Sequence, residues 1–365
     1  MKPLIKWPGG KSREIKNIDG LIPQDFDRYI EPFVGGGALF FHLEHRNNAI
    51  NDINQDLMQF YLLVQKQDEA FLDSLNQIAE DWELLKDLIT PFLDPFLELK
   101  KRNLETGVPP TLGDLEKVHL REGILEVQSL DLPSSLSPFL INSFRSKIIR
   151  ISQLESKHGR PMTDRWTYRD HVETAIRAAY YTMLRDAPPQ NLHPIAVFFF
   201  IREFAFGSMF RYNSRGKFNI PYGGIAYNRK SFRTKVELLQ SPKTVKLLSQ
   251  TTIHNSDYLK FIEKVKPTSE DFVFFDPPYD SDFTEYGQTP FGKSNHLDLV
   301  HAFAKLESKA LMVIGNSQFI TKVYERAKQI NPNISIRKYP KKYAYNVRGR
   351  NDRGATHLVI TNYSE

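Results

Sequence analysis

An α/β fold, with a Rossmann-like doubly wound sheet and a helical lobe set into it, is predicted by three observations. Residues 28–34 (Arg-Tyr-Ile-Glu-Pro-Phe-Val) read as a strand running straight into Gly35-Gly36-Gly37, after which the apolar residues 38–41 open a helix. Short apolar runs return late in the chain, at residues 251–256, 272–275, 310–314 and 356–361. Between these two groups, from about residue 65 to residue 186, strand candidates vanish and the apolar spacing is helical.

The elements follow in order. Residues 28–41 begin a βαβ unit, and Ala49-Ile50-Asn51-Asp52 is a second short strand ending in an acid. Residues 55–64 have helical spacing. The long helical interval is broken at Pro109-Pro110 and in the Pro/Ser-rich residues 132–138. Residues 209–220 alternate around a Ser-Arg-Gly turn and predict a basic β-hairpin. The run Phe272-Val273-Phe274-Phe275 reads as a buried parallel strand, stopped at once by Pro277 and Pro278. The domain reading is residues 1–64 with 250–365 for the sheet, and residues 65–249 for the lobe.

Composition narrows the function. The absence of cysteine excludes disulfides, thiolate metal sites and a cysteine nucleophile. No apolar leader and no run of membrane-spanning length are present, so a soluble, intracellular protein is expected. The ten histidines show no ligand spacing, and no metal is expected. The net charge of +6 is modest but unevenly placed. Arg211, Arg215, Lys217, Arg229, Lys230, Arg233, Lys235, Lys243 and Lys246 form one basic stretch, and Arg337, Lys338, Lys341, Lys342, Arg348, Arg350 and Arg353 a second. Residues 68–131 are rich in acids, which repel a phosphate backbone.

The chemistry concentrates at Asp276-Pro277-Pro278-Tyr279. A stiff turn at a strand's carboxyl end holds an acid and an aromatic ring where α/β sheets bind ligands. It suits methyl transfer to an amino nitrogen conjugated with a ring: Asp276 and the Pro277 carbonyl accept from the NH2, and Tyr279 stacks on the ring. Gly35 in its turn lets a ligand approach the backbone, or serves only to turn the chain. Asp52, seventeen positions later, has the spacing of an acid that chelates ribose hydroxyls, favouring an adenosine-type cofactor. Lys6-Trp7-Pro8-Gly9-Gly10-Lys11-Ser12 ends like a phosphate-binding loop, but Ile5 stands where Walker A needs glycine, which argues against a kinase or ATPase. Lys11 beside two glycines suits an anion such as a carboxylate, and Trp7 suits either the core or the site. Asp257 reads equally as a helix cap and as a contact to a cofactor's base.

With Lys6 to Lys11, Glu31-Pro32-Phe33-Val34-Gly35-Gly36-Gly37, Asn51-Asp52-Ile53-Asn54, Arg211-Tyr212-Asn213, Pro221-Tyr222-Gly223 and Asp276 to Tyr279 in view, the chain resembles the Dam-type DNA adenine-N6 methyltransferases. The order, cofactor motifs first and the catalytic tetrapeptide last, is that of the alpha group. The resemblance covers residues 2–63 and about 198 onward; residues 65–186 are longer than the usual helical lobe, so no recognition sequence carries over. It implies a class I methyltransferase sheet and methyl transfer from S-adenosyl-L-methionine to adenine N6 in a specific duplex DNA sequence, by base flipping. It implies cofactor contacts at Trp7, Lys11, Phe33, Gly35, Asp52, Asp257, Asp276 and Tyr286, and catalysis at Asp276, Pro277, Pro278 and Tyr279. Contacts to DNA fall to Arg211, Asn213, Arg215, Lys217 and Asn219. A bacterial cytoplasmic enzyme, solitary or paired with a cognate restriction endonuclease, is the implied setting. Competing readings are an N-methyltransferase acting on RNA or a protein amide, and a catalytically silent DNA-binding module.

Overall fold

Every position of Asp271–Phe275 is buried, as a strand covered on both faces requires, and this strand lies in the middle of a seven-stranded sheet in the computed structural model. The structure describes all residues except 107–129, 131, 159–164, 209–210, 214–215, 279–290, 343–353 and 365. It divides into two compact units, Met1–Gln67 with Leu239–Glu365, and Asp68–Leu238.

The strands of the first unit are β1 (Arg28–Glu31), β2 (Asn48–Asn51), β3 (Thr251–His254), β4 (Asp271–Phe275), β5 (Lys309–Gly315), β6 (Ser335–Lys342) and β7 (Gly354–Thr361), in the order β3-β2-β1-β4-β5-β7-β6. β1 to β5 are parallel; β7 runs antiparallel to β5, and β6 antiparallel to β7. The chain therefore steps outward from β1 to β2 and β3, then returns to β4 on the other side of β1. A reversal of strand order of this kind opens a crevice at the carboxyl ends of the strands beside it. One sheet face packs Ile30, Val273, Phe275, Met312 and Ile360 against Phe261, Leu299, Phe303, Ile320 and Tyr324 of three helices, Tyr258–Val265, Lys293–Lys305 and Gln318–Ala327.

β1 ends at Glu31, three residues before the predicted boundary, where Pro32 cannot donate to a ladder. β6 was read from the sequence only as a basic stretch. Its Ser-Ile-Arg-Lys-Tyr-Pro-Lys-Lys carries charges and a proline in place of an apolar alternation, the pattern of an edge strand guarded against pairing with other chains.

At the amino-terminal end of the sheet, Arg28 of β1 donates to Asp271 of β4 at 2.7 Å, and the same carboxylate accepts the Thr268 backbone N–H at 2.8 Å. Burial raises the Asp271 pKa, but the Arg28 and Thr268 hydrogen bonds outweigh it and hold the group below its ordinary value. A depressed folded-state pKa stabilises the fold above the unfolded value and is lost as pH falls through the folded one. Asp271→Asn is expected to cost about 1–2 kcal/mol in urea unfolding at pH 7, and the difference from the parent shrinks below about pH 4.

The second unit is helical: Glu69–Leu84, Ile89–Thr106, Leu136–His158, Arg165–Asp186 and Pro194–Phe204 are its long elements. The expected break at residues 132–138 spans non-helical residues 132–135 and ends where the helix Leu136–His158 begins, with Pro138 in its first turn, where a missing N–H costs nothing. Trp82 anchors the packing, with Phe204 at 4.5 Å, Phe200 at 5.1 Å and the Arg177 guanidinium 4.5 Å over its ring. The expected hairpin is present as antiparallel pairing among the described residues on either side of the Ser-Arg-Gly turn: a bridge pairs Tyr212 with Phe218, and the N–H groups of Asn213 and Asn219 donate to the carbonyls of Lys217 and Arg211 at 2.8 and 3.0 Å. Tyr181 and Arg185 both donate to the Ile220 carbonyl, at 2.9 and 3.0 Å, and fix the end of that turn.

Candidate active site

At the reversal point of the sheet, the carboxyl ends of β1, β2, β3 and β4 surround one cavity. Asn51 binds three of these ends together: its amide donates to the carbonyls of Pro32 and Ser256, both at 3.0 Å, and its oxygen accepts the Ser256 N–H at 2.9 Å. Trp7, Lys11, Phe33, Gly35, Asp52, Asp257, Asp276, Pro277 and Pro278 all line the cavity, so residues far apart in the sequence meet there. Tyr279 and Tyr286 lie outside the described residues.

Gly35 has φ +48°, a conformation that a side chain resists, and a Cβ on it would stand 2.8 Å from the Trp7 ring. The glycine turn is thus shaped by Trp7 as well as by any ligand. Its N–H donates to Asp52 at 3.0 Å and its carbonyl accepts the Tyr61 hydroxyl at 3.0 Å. The other Asp52 oxygen accepts the Asn54 N–H at 2.9 Å. Each carboxylate oxygen has a second lone pair, so these bonds leave acceptor capacity for hydroxyls. Burial pushes the Asp52 pKa up to about 6, against the opposing N–H groups of Asn54, Gly35 and Ile53. Beside it Ile53 is 59% exposed, an apolar surface beside the acid.

Lys11 does not wait for a free anion. Its ammonium is paired with Asp276 Oδ1 at 2.7 Å and donates to the Gly9 carbonyl at 3.1 Å. Burial raises the Asp276 pKa, the Lys11 charge and hydrogen bond pull it back, and the Glu14 charge adds to the rise. Asp257 caps the helix that follows it, accepting the Leu259 N–H at 2.9 Å, and also lines the cavity. Phe33 packs against Tyr258 at 5.1 Å and Phe291 at 5.9 Å, forming an apolar wall.

Sequence reasoning did not single out Tyr258, Phe291, Asn295 or Glu31, all of which line the cavity. Glu31 is buried, accepts the Tyr29 hydroxyl at 2.9 Å, and has its pKa pushed well above the ordinary range by burial, with the Asp276 and Asp52 charges adding to it. Its place directly before Pro32 at the end of a strand was the available signal.

In the second unit, Arg211 and Lys217 are exposed on the turn, whereas Asn219 and Asn213 hold it together. Arg211 Nε donates to Asn219 Oδ1 at 2.9 Å, and Asn213 Oδ1 accepts the Lys217 N–H at 3.0 Å. Arg215 lies outside the described residues. The surrounding basic stretch is less positive than its sequence indicates, since Arg233 meets Glu83, Lys235 meets Glu203, and Lys243 meets Glu44.

The model of the D12 class N6 adenine-specific DNA methyltransferase family matches residues 7–96 and 139–336. Over full length the chain is 28% identical to the Type II methyltransferase M.CviBI of Paramecium bursaria Chlorella virus NC1A, with both chains wholly covered. The Type II methyltransferase M1.LlaDCHI of Lactococcus lactis subsp. cremoris is 26% identical, covering all of this chain and 96% of that one. A DNA adenine methylase of Haemophilus influenzae is 21% identical over 93% of this chain and 90% of its own length.

Proposed function

Since the chain belongs to the D12 class N6 adenine-specific DNA methyltransferases, we propose that Asp276 and the Pro277 carbonyl hold the N6 amino group of a flipped adenine while S-adenosylmethionine lies in the cavity beside them. The observation that carries this is the position of Asp276: it ends the central strand at the reversal point, one wall of a cavity whose other walls are the glycine turn, Asp52 and Asp257. When bound, the cofactor supplies an electrophilic methyl group on a sulfonium. The residues present suit it. Asp52 offers acceptors for ribose hydroxyls, and Ile53, Phe33 and Phe291 offer apolar surface for a flat base.

N6 is a poor nucleophile because its lone pair is delocalised into the ring. Two acceptors on its hydrogens favour a tetrahedral nitrogen and stabilise the positive charge that develops there. Asp276 then takes the proton that N6 sheds. Flipping costs roughly a few kcal/mol, which stacking on Tyr279 and contacts to phosphates offset, the former by about 1–3 kcal/mol. We assign the sheet unit to catalysis and the helical unit, through Arg211, Asn213, Arg215, Lys217 and Asn219, to the target. A cognate endonuclease and a cytoplasmic setting belong to the same proposal.

Methylation of a plasmid by the purified protein, with modified bases mapped by single-molecule sequencing, tests the assignment. N6-methyladenine confined to one short motif is expected; methylation of cytosine, or of RNA or protein in its place, overturns it. For the turn, Arg211→Ala with Lys217→Ala is expected to weaken DNA affinity across all sequences and to flatten the log–log salt slope by about two. An unchanged slope in a fluorescence-anisotropy titration removes these side chains from phosphate contact.

A further inference from the structure

Behind the Lys11–Asp276 pair lies a second charged cluster that the chemistry above does not use. Glu14 has a side chain only 2% exposed, and it accepts from three groups on the far strands of the sheet: His357 Nδ1 of β7 at 2.6 Å, and the Tyr339 hydroxyl and Lys341 ammonium of β6. Tyr339 and His357 face one another in register, so both antiparallel strands close on the one carboxylate. Glu14 is joined to Lys11 by a turn, its N–H donating to the Lys11 carbonyl at 2.7 Å. Burial raises the Glu14 pKa, but the His357 bond, the Lys11 charge and the Lys341 and Tyr339 bonds together bring it down to about 2, so the carboxylate stays charged throughout the working range. The charges therefore alternate: Asp276, then Lys11, then Glu14, then Lys341. The Asp276 charge is also felt by Glu31 and Tyr29.

We propose that Glu14 is a positioning residue, which fixes the Lys11 segment on β6 and β7 and divides the Lys11 charge, so that Asp276 holds Lys11 through one oxygen and retains acceptor capacity for the substrate amine. A lysine with Asp276 as its sole anionic neighbour would tighten on that carboxylate and lower its basicity. Glu14 draws the ammonium field the other way. This rests on the assignment of Asp276 to the amino group.

The full-length protein decides it through the pH dependence of single-turnover methyl transfer. Glu14→Gln removes the second anion, and the acid limb is expected to move down by about half a pH unit, with the plateau rate about tenfold lower and DNA affinity unchanged. Lys341→Met leaves Glu14 less neutralised, and the limb is expected to move up. Tyr339→Phe removes a hydrogen bond with no change of formal charge and leaves the limb in place. A role in folding alone lowers rates without moving the limb in opposite directions. Limbs that coincide for Glu14→Gln and Lys341→Met overturn the proposal while the parent's activity keeps the Asp276 assignment intact. If Glu14→Gln does not fold, Lys341→Met alone decides, and an unmoved limb overturns it. A parent protein that transfers no methyl to adenine overturns both.

Discussion

Asp276→Asn is expected to reduce the single-turnover rate of methyl transfer by roughly 10²–10³-fold with the fold intact. Asparagine keeps an acceptor oxygen for Lys11, so the buried ammonium is not left without a partner, but it loses the charge that stabilises a cationic N6 and the capacity to take its proton. Asp276→Ala loses the same activity and also removes the carboxylate paired with Lys11, whose side chain is 3% exposed. Removing one member of such a pair costs about 3–5 kcal/mol, so a lowered melting temperature accompanies that variant. Tritium transfer from labelled cofactor, followed beside circular dichroism melting, separates the two effects. An active Asp276→Asn enzyme removes the residue from the chemistry. Because burial holds the Asp276 pKa above its ordinary value, activity is expected to fall on the acid side as the carboxylate protonates.

Asp52→Ala should weaken cofactor binding by about 10²-fold or more, with DNA binding little altered. Two consequences combine: the acceptors for the ribose are lost, and the Gly35 and Asn54 N–H groups lose the carboxylate that sets the glycine turn. The pH dependence has a definite sign. The folded pKa of Asp52 is raised to about 6, above the unfolded value near ~4. The folded state therefore binds an extra proton between these values, and its stability contribution, full below the unfolded pKa, declines as pH rises through the folded one. Cofactor affinity runs the opposite way if ribose hydroxyls donate to the ionised form, and it weakens as pH falls below about 6. Isothermal titration across that interval measures it. An affinity that is level from pH 5 to 8 would falsify the ribose assignment.

Much of the site could be read from single stretches of sequence. Phe272 to Phe275 followed by two prolines marked a buried strand and its abrupt end, because apolar runs and proline geometry are properties of neighbouring residues. The spacing from Gly35 to Asp52 placed an acid at the next strand end for the same reason. β6 escaped notice because an edge strand selects charge and proline, which a search for apolar alternation discards. Glu31 was passed over as part of a motif, although it lines the cavity. Asn213 and Asn219 were read as DNA contacts, and their carbonyl oxygens hold the turn itself.

The strands near the site, the stiff turn carrying Asp276, the glycine turn and the family resemblance were all legible along the chain, being set by local conformational preference and short spacing. Folding alone reveals that Lys11 binds Asp276, that Trp7 fills the space left by Gly35, and that Glu14 gathers Tyr339 and His357 from 325 and 343 positions away. Charge pairing and close packing act through space and carry no fixed interval along the chain. Their partners become definite only when the return of the chain from β3 to β4 brings both ends of the sequence to one sheet.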